Sequence, residues 1–424
     1  MRRMALMLLA SLSGPAAAET VAIVHARAMP IASAPLDDAT IVLADGRVRS
    51  LVAHGAVPIG ARVVDAGGRI VTPGLIDAAT QLGLAEVTGA SDTDDRSIDK
   101  GPLGPAFDVS YAFNPNSALI PVARADGLTR AMSYPGGAAT APFAGMGALI
   151  HLLPDGEMVE RPRAAMFASV GIDTIARAGG SRAAQWGLLR NAIDEARHHA
   201  AAKRGDGPRD QLLDRPDIEA LAPVVAGTMP LAIEAERESD IRAAVRLAAD
   251  EHVRVVVLGG AEAWRAAPAL AAAHIPVILD PEDDLPQNFD MIGARLDNAA
   301  LLAKAGVTIA FSVSGNGIYL SYDAGEAMRE GAGLAVANGL PYATALEAIT
   351  RGPAVIWGLE HAGTLAPGSD ADLVIWDGDP LEPASAPVAV FLMGREASLA
   401  TRQSALRDRY APSHAHDALP ASYR

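Results

Sequence analysis

The hydrophobic positions fall into three textures along the chain. From Thr20 to about Pro73, short β-branched runs alternate with turns: Thr20–His25, Ala39–Ala44 and Arg62–Asp65. Asp45-Gly46 between two such runs is the dipeptide of a two-residue hairpin, whose turn needs positive φ at both central residues. The same texture returns near the other end, in Ala371–Trp376 and Pro387–Gly394. Two strand-rich ends around a different middle predict one small sheet domain assembled from both.

From Gly74 to about Leu359 the pattern alternates between strands and helices. Pro230–Ala235, Val253–Leu258, Ile275–Leu279 and Val307–Phe311 are short apolar runs of strand length. Between and after them, Ser239–His252, Glu262–Ala273, Asp290–Ala305, Glu326–Asn338 and Tyr342–Thr350 show helical spacing, as with Ile241, Val245 and Ala248 on one face. Strands separated by helices of this length predict parallel pairing with right-handed crossovers. The length suits a TIM-type (β/α)8 barrel, giving an α/β protein with a small β-sandwich from both chain ends. An open doubly wound sheet is disfavoured, because no glycine-rich dinucleotide turn follows an early strand. Ser181–Lys203 reads as a helix. Between Glu86 and Pro162 the periodicity fails. Asp92, Asp94, Asp95 and Asp99 crowd one stretch, and Gly136-Gly137 and Gly145-Met146-Gly147 suggest tight turns. A long flap over the barrel mouth is expected there. The expected boundaries are 1–18 for a leader, 19–73 and 361–402 for the sheet domain, 74–360 for the barrel and 403–424 for a polar tail.

Composition narrows the chemistry. With no cysteine among the 424 residues, disulfide scaffolds and thiol-based sites are excluded. A net charge of −15 with no basic stripe argues against a nucleic-acid partner. Arg2 and Arg3, the apolar run Ala5–Ala10 and Ala16-Ala17-Ala18 have the layout of a cleaved secretory signal. The run is too short to span a bilayer, and no cysteine follows it to take a lipid. The expectation is a protein exported to a periplasm without a membrane anchor.

Three blocks carry a family resemblance. Val63–Asp77 contains Thr72-Pro73-Gly74-Leu75-Ile76-Asp77; Ala343–Ala354 ends Thr350-Arg351-Gly352-Pro353-Ala354; and Gly363–Val374 contains Pro367-Gly368-Ser369-Asp370-Ala371-Asp372. In order and spacing these resemble the amidohydrolase superfamily, particularly its exported imidazolonepropionase-like and prolidase-like branch. The resemblance implies a barrel beside a β-sandwich and metal-assisted hydrolysis of C–N bonds, with a divalent ion activating water.

The residues that the resemblance would make metal ligands are absent. The His-x-His expected after Asp77 is Ala79 and Gln81, and Glu234 stands where a later strand should offer histidine. The next strand ends Leu258-Gly259-Gly260, and Ser314 stands near the expected catalytic aspartate. Alanine cannot bind a metal, and an amide is a poor substitute for imidazole. No metal and no cofactor are therefore expected. His414-Ala415-His416 has chelating spacing but lies in the polar tail. His198 and His199 point to different helix faces, His252 and His274 fall before strands, and His151 reads as a packed residue. The aspartate cluster at 92–99 lacks the spacing of a helix-loop-helix calcium site.

The remaining candidates are Glu234 as general base, with Gln81 and Ser314 as hydrogen-bond donors to an oxyanion. Asp77, Ala79 and Gly260 are expected to line the substrate side, although Asp77 also reads as a structural turn residue. Three functions stay open. One is a C–N hydrolase of changed mechanism acting on a small molecule or short peptide. The second is a non-catalytic relative that binds such a ligand. The third is an accessory subunit in a homo- or hetero-oligomer with a related amidohydrolase.

Overall fold

The computed structural model describes residues 19–86, 91–201, 212–283, 285–313 and 324–410. The leader expected at 1–18, Ser314 and His414–His416 lie outside them.

The first five strands are β1 (Val21–Ala28), β2 (Leu36–Ala44), β3 (Arg47–Ala53), β4 (Arg62–Asp65) and β5 (Ile70–Pro73). Asp45 and Gly46, at φ +54° and +74°, close the β2–β3 hairpin as their side chains dictate. The barrel strands follow: β6 (Leu75–Thr80), β7 (Leu128–Ser133), β8 (Phe143–His151), β9 (Val159–Ser169), β10 (Leu231–Ala235), β11 (Val255–Gly259), β12 (Val277–Leu279) and β13 (Ile309–Phe311). The last three are β14 (Leu373–Trp376), β15 (Pro387–Leu392) and β16 (Arg395–Glu396).

Strands from the two ends form one eight-stranded sheet in the order β16-β15-β14-β5-β1-β2-β3, with β4 pairing in parallel to β1. Its core is its own: Ile23, Ile41, Leu43, Val71, Leu373 and Phe391 pack together. The middle strands form a second path, β13-β12-β11-β10-β9-β8-β7-β6, whose ends β13 and β6 come together to nearly close a barrel. The helices are α1 (Ile120–Ala125), α2 (Ile172–Ile175), α3 (Arg182–Ala201), α4 (Arg215–Val225), α5 (Glu238–Glu251), α6 (Ala263–Ala272), α7 (Asn298–Lys304), α8 (Ala324–Ala337), α9 (Tyr342–Ala348), α10 (Arg351–Trp357) and α11 (Arg402–Tyr410).

Three expectations are corrected. The barrel is not a strict eight-fold β/α repeat, because β8 runs antiparallel to both β7 and β9. The connections 134–142 and 152–158 are too short for a crossover helix, so the chain turns back as hairpins instead. The stretch expected to be a flap thus supplies two barrel strands and the start of a third, and among the described residues 91–119 carry only two short 3-10 turns. Gly145 sits inside β8, at φ +118°, where an added Cβ would lie 2.5 Å from the Phe107 carbonyl. Lastly, Asp290–Ala305 is helical only over α7. Asn288 caps a short turn before it, accepting from the Asp290 amide at 2.8 Å.

The closed end of the barrel is plugged by α10. Val355 and Ile356 line a cavity of about 480 Å³ with Pro230, Pro276 and Thr308, which precede β10, β12 and β13. Trp357 packs with the inward residues Met132, Phe167, Ala232 and Ile278, and its indole donates to the Ala78 carbonyl at 2.8 Å. The open end is therefore the one bearing the C-terminal ends of β10–β13.

Barrel and sheet are joined through buried charge. Arg130, on β7, pairs with Glu160 at 2.9 Å, with Asp370 at 2.7 Å and with Asp372, whose carboxylate also lies 3.0 Å from His151. Burial pushes the Asp372 carboxyl up, but Arg130 and His151 outweigh it and hold it below the ordinary range. The two aspartates of the third sequence block are thus the sheet's anchor on the barrel.

Candidate active site at the barrel mouth

Four of the barrel strands, β6, β7, β10 and β12, carry the polar groups of the mouth on them or just past their ends. From β10, Glu234 is exposed although Ile233 and Ala235 beside it are buried, so its carboxylate projects into the opening. Tyr134, one residue past β7, stacks on Phe167 with ring centroids 5.1 Å apart. Burial pushes the pKa of its phenol up, and Glu234 and Asp77 push it further while Arg96 opposes them. Those four residues are therefore electrostatic neighbours. Asp77, midway along β6, is 1% exposed and accepts from the Ala79 amide at 3.1 Å. Burial, with a smaller contribution from Asp280 at the end of β12, pushes its carboxyl up to about 8. Asp77 is thus neutral at pH 7.

Glu236 is a second carboxyl of this kind. Burial lifts it to about 8, and Glu234 and Asp283 add to the shift although the Ala261 amide donates to it at 2.7 Å. Glu282, in the segment after β12, is raised to about 7 by burial and by Asp280. The mouth thus combines an exposed carboxylate with carboxyls that hold protons at neutral pH, the separation that lets one site give and take protons.

At two of the positions where the resemblance implies metal ligands, the neighbouring groups come from residues that sequence reasoning missed, Arg96 and Glu236. Gln81 is buried, and its Oε1 accepts from Arg96 Nη1 at 2.8 Å. Arg96 is also paired with Asp94, through Nε at 2.8 Å and Nη2 at 2.5 Å. At the end of β11, Gly259 has φ +86°, and an added Cβ would lie 2.0 Å from Glu236 Oε1. Glu236 therefore occupies the space in which a side chain at 259 would begin. Ala79 is buried among apolar groups. These residues do not fit a divalent metal at the family's position: the first strand offers a methyl group and an amide already bonded to a guanidinium. Among the described residues, no three His, Asp or Glu side chains are arranged to hold an ion.

Other candidates are placed as follows. Gly260 lies in the turn behind β11, where its carbonyl accepts from Asn298 Nδ2 at 2.9 Å and a Cβ would crowd Val277. Arg237 pairs with Asp240 at 3.1 Å, while Arg265 lies over the Trp264 ring. Of the aspartate cluster, Asp94 serves Arg96 and Asp92, Asp95 and Asp99 are exposed. His151 is packed in the sheet–barrel junction, and His274 is at the closed end. Glu236 and Asp280 share one signal in the sequence, a polar residue just past a largely apolar strand. That signal is readable only once the strands are assigned.

Comparison with known proteins agrees with this architecture. The profile of the Amidohydrolase family matches residues 216–394. A solved amidohydrolase from Thermotoga maritima is 26% identical, with 89% of this chain and 99% of that one aligned at a TM-score of 0.80. A putative prolidase from Bifidobacterium longum shares the fold at 18% identity, covering 93% and 100% of the two chains at a TM-score of 0.54. Amidohydrolase tasK of Hapsidospora irregularis is 46% identical over 57 residues, a stretch amounting to 13% of this chain and 6% of that protein. Over residues 216–394 the chain is thus similar in sequence to the Amidohydrolase family, and over 89% of its length it is similar in fold to a solved amidohydrolase.

Proposed function

We propose that this chain is an exported hydrolase of C–N bonds in small amides or dipeptide-type substrates, working at the barrel mouth without the His-x-His metal site. The observation that carries the reading is the pairing of Glu234, exposed at the end of β10, with Asp77 and Glu236, both proton-bearing at pH 7. Glu234 takes a proton from water as it attacks the carbonyl carbon, and delivers that proton to the amine nitrogen as the C–N bond breaks. The proton-bearing groups around it supply hydrogen bonds to the oxygen on which charge develops. Solved relatives include a prolidase complexed with N-methylphosphonate-L-proline and a molinate hydrolase, which set the kind of substrate to try first. Export rests on the leader layout at 1–18, and no helix among the described residues is long and apolar enough to cross a membrane.

The test uses exported, tag-free protein treated with chelator. It is incubated with a panel of dipeptides and N-acyl amides, and products are read by mass spectrometry. Glu234→Gln should lower turnover by about 10²-fold or more, the range for loss of a general base, with unchanged melting temperature. Equal turnover by the variant would remove Glu234 from the mechanism. The occupied ligand positions favour a second reading, a ligand-binding relative without turnover. Saturable thermal shifts with no product from any panel member would select it.

A further inference from the structure

We infer that Arg96 is a built-in cation at the position of the family's first-strand ligands, and that its charge keeps a divalent ion out of this barrel mouth. The inference rests on reading the mouth as the functional end, and it concerns the place where Gln81 replaces a histidine.

The geometry is specific. Arg96 comes from the irregular segment after β6, which is fastened at several points. The Asp95 amide donates to the Leu84 carbonyl at 2.9 Å, and the Gly136 amide donates to the Arg96 carbonyl at 2.9 Å. The Ile98 amide donates to Gly137 at 3.1 Å. Gly136 has no room for a side chain, since a Cβ there would stand 2.8 Å from Ser97 Oγ and 3.0 Å from Gln81 Nε2. The backbone is thus held on both sides, and Asp94 fixes the plane of the guanidinium by two bonds. The third arm of that fork, Nη1, lies 2.8 Å from Gln81 Oε1. The charge also reaches Tyr134, whose phenol it favours in the ionised form against Glu234 and Asp77. Arginine suits this role because its charge is permanent and its planar fork bonds a carboxylate and an amide together. A divalent ion bound by residue 81 would meet that charge at close range, where two like charges repel strongly in a partly dry site.

The proposal is tested by restoring the ligands with and without the charge. Ala79→His/Gln81→His and Ala79→His/Gln81→His/Arg96→Met are prepared tag-free, and zinc affinity is measured by competition with a chromogenic chelator. Arg96→Met keeps an apolar stem and removes the cation. The triple variant is expected to bind one zinc at least ~30-fold more tightly than the double, equivalent to about 2 kcal/mol of removed repulsion. Equal affinity in the two proteins, both tight or both undetectable, overturns the proposal. A third protein, Ala79→His/Gln81→His/Arg96→Lys, retains the charge without the fork and is expected to bind as weakly as the double. Affinity matching the methionine variant would show that the fork's bonds, and not its charge, exclude the ion. If the methionine variant does not fold, Arg96→Gln replaces it under the same criteria. Zinc affinity is read without substrate, so failure here and failure of the hydrolysis assay are separate results.

Discussion

Replacing Asp77 by Asn isolates the effect of one buried carboxyl on stability. In the folded chain the group is pushed to about 8 from an ordinary value of 3.8, whereas the unfolded chain ionises it normally. Between about pH 5 and 7.5 the folded state therefore holds a proton that the unfolded state has released. Stability then falls as pH rises, by about 1.4 kcal/mol per pH unit from this group alone. The loss is absent below the unfolded value and levels off above the folded one. Asp77 is 1% exposed, so solvent does little to screen it. Asparagine keeps an oxygen for the Ala79 amide but cannot ionise. Glu236 is raised in the same direction and is present in both proteins, so its contribution cancels in the difference. Urea unfolding of parent and Asp77→Asn in matched buffers should show the stability gap moving in favour of the variant by about 3 kcal/mol from pH 5 to 7.5. Any constant offset from the substitution itself is irrelevant, because the slope is what is read. Parallel pH profiles would refute the claim that burial holds this proton.

Further outcomes follow from the same coordinates. Arg130→Met should cost about 3–5 kcal/mol in urea unfolding, because Asp370 and Asp372 are left buried without their cation. Asp372 is held below its ordinary range, so its contribution is complete above about pH 4 and is lost as the group is protonated on acidification. Limited proteolysis between sheet and barrel should accelerate there in the parent but not change further in Asp372→Asn. Gly74→Ala should destabilise by about 1–3 kcal/mol by thermal unfolding, since its Cβ would lie 2.3 Å from Thr129 and force overpacking. Thr129→Ser, which removes one of the two crowding atoms, should recover part of that loss.

The fold was legible where one physical signal dominated. Asp45-Gly46 specified its hairpin by conformation alone, and the apolar runs at 231–235 and 255–259 became parallel strands because helices of fixed length separate them. The region 128–169 was not legible, since β8 is buried on both faces and shows no alternation. Gly145 and Gly147 read as turns when they in fact lie inside β8 and make room for Phe107 and Phe167. For the mouth, position along the barrel was the signal that made Glu234 and Asp77 candidates. Arg96 reaches Gln81 from 15 residues away, and no spacing rule links an irregular segment to the strand before it. Glu236 fills the space beside Gly259 only because β10 and β11 pair in register, a contact that exists only once the barrel has formed.

The reversal at β8 also bears on how the chain reaches this structure. Strands β7, β8 and β9 meet partners just a short turn away, whereas each parallel neighbour from β10 onward waits for an intervening helix. Closing a short loop loses less chain entropy than closing a long one, and sequence-local pairings form faster. The meander at 128–169 is thus the part of the barrel able to assemble first, presenting a preformed edge on which β10 and its successors dock in chain order.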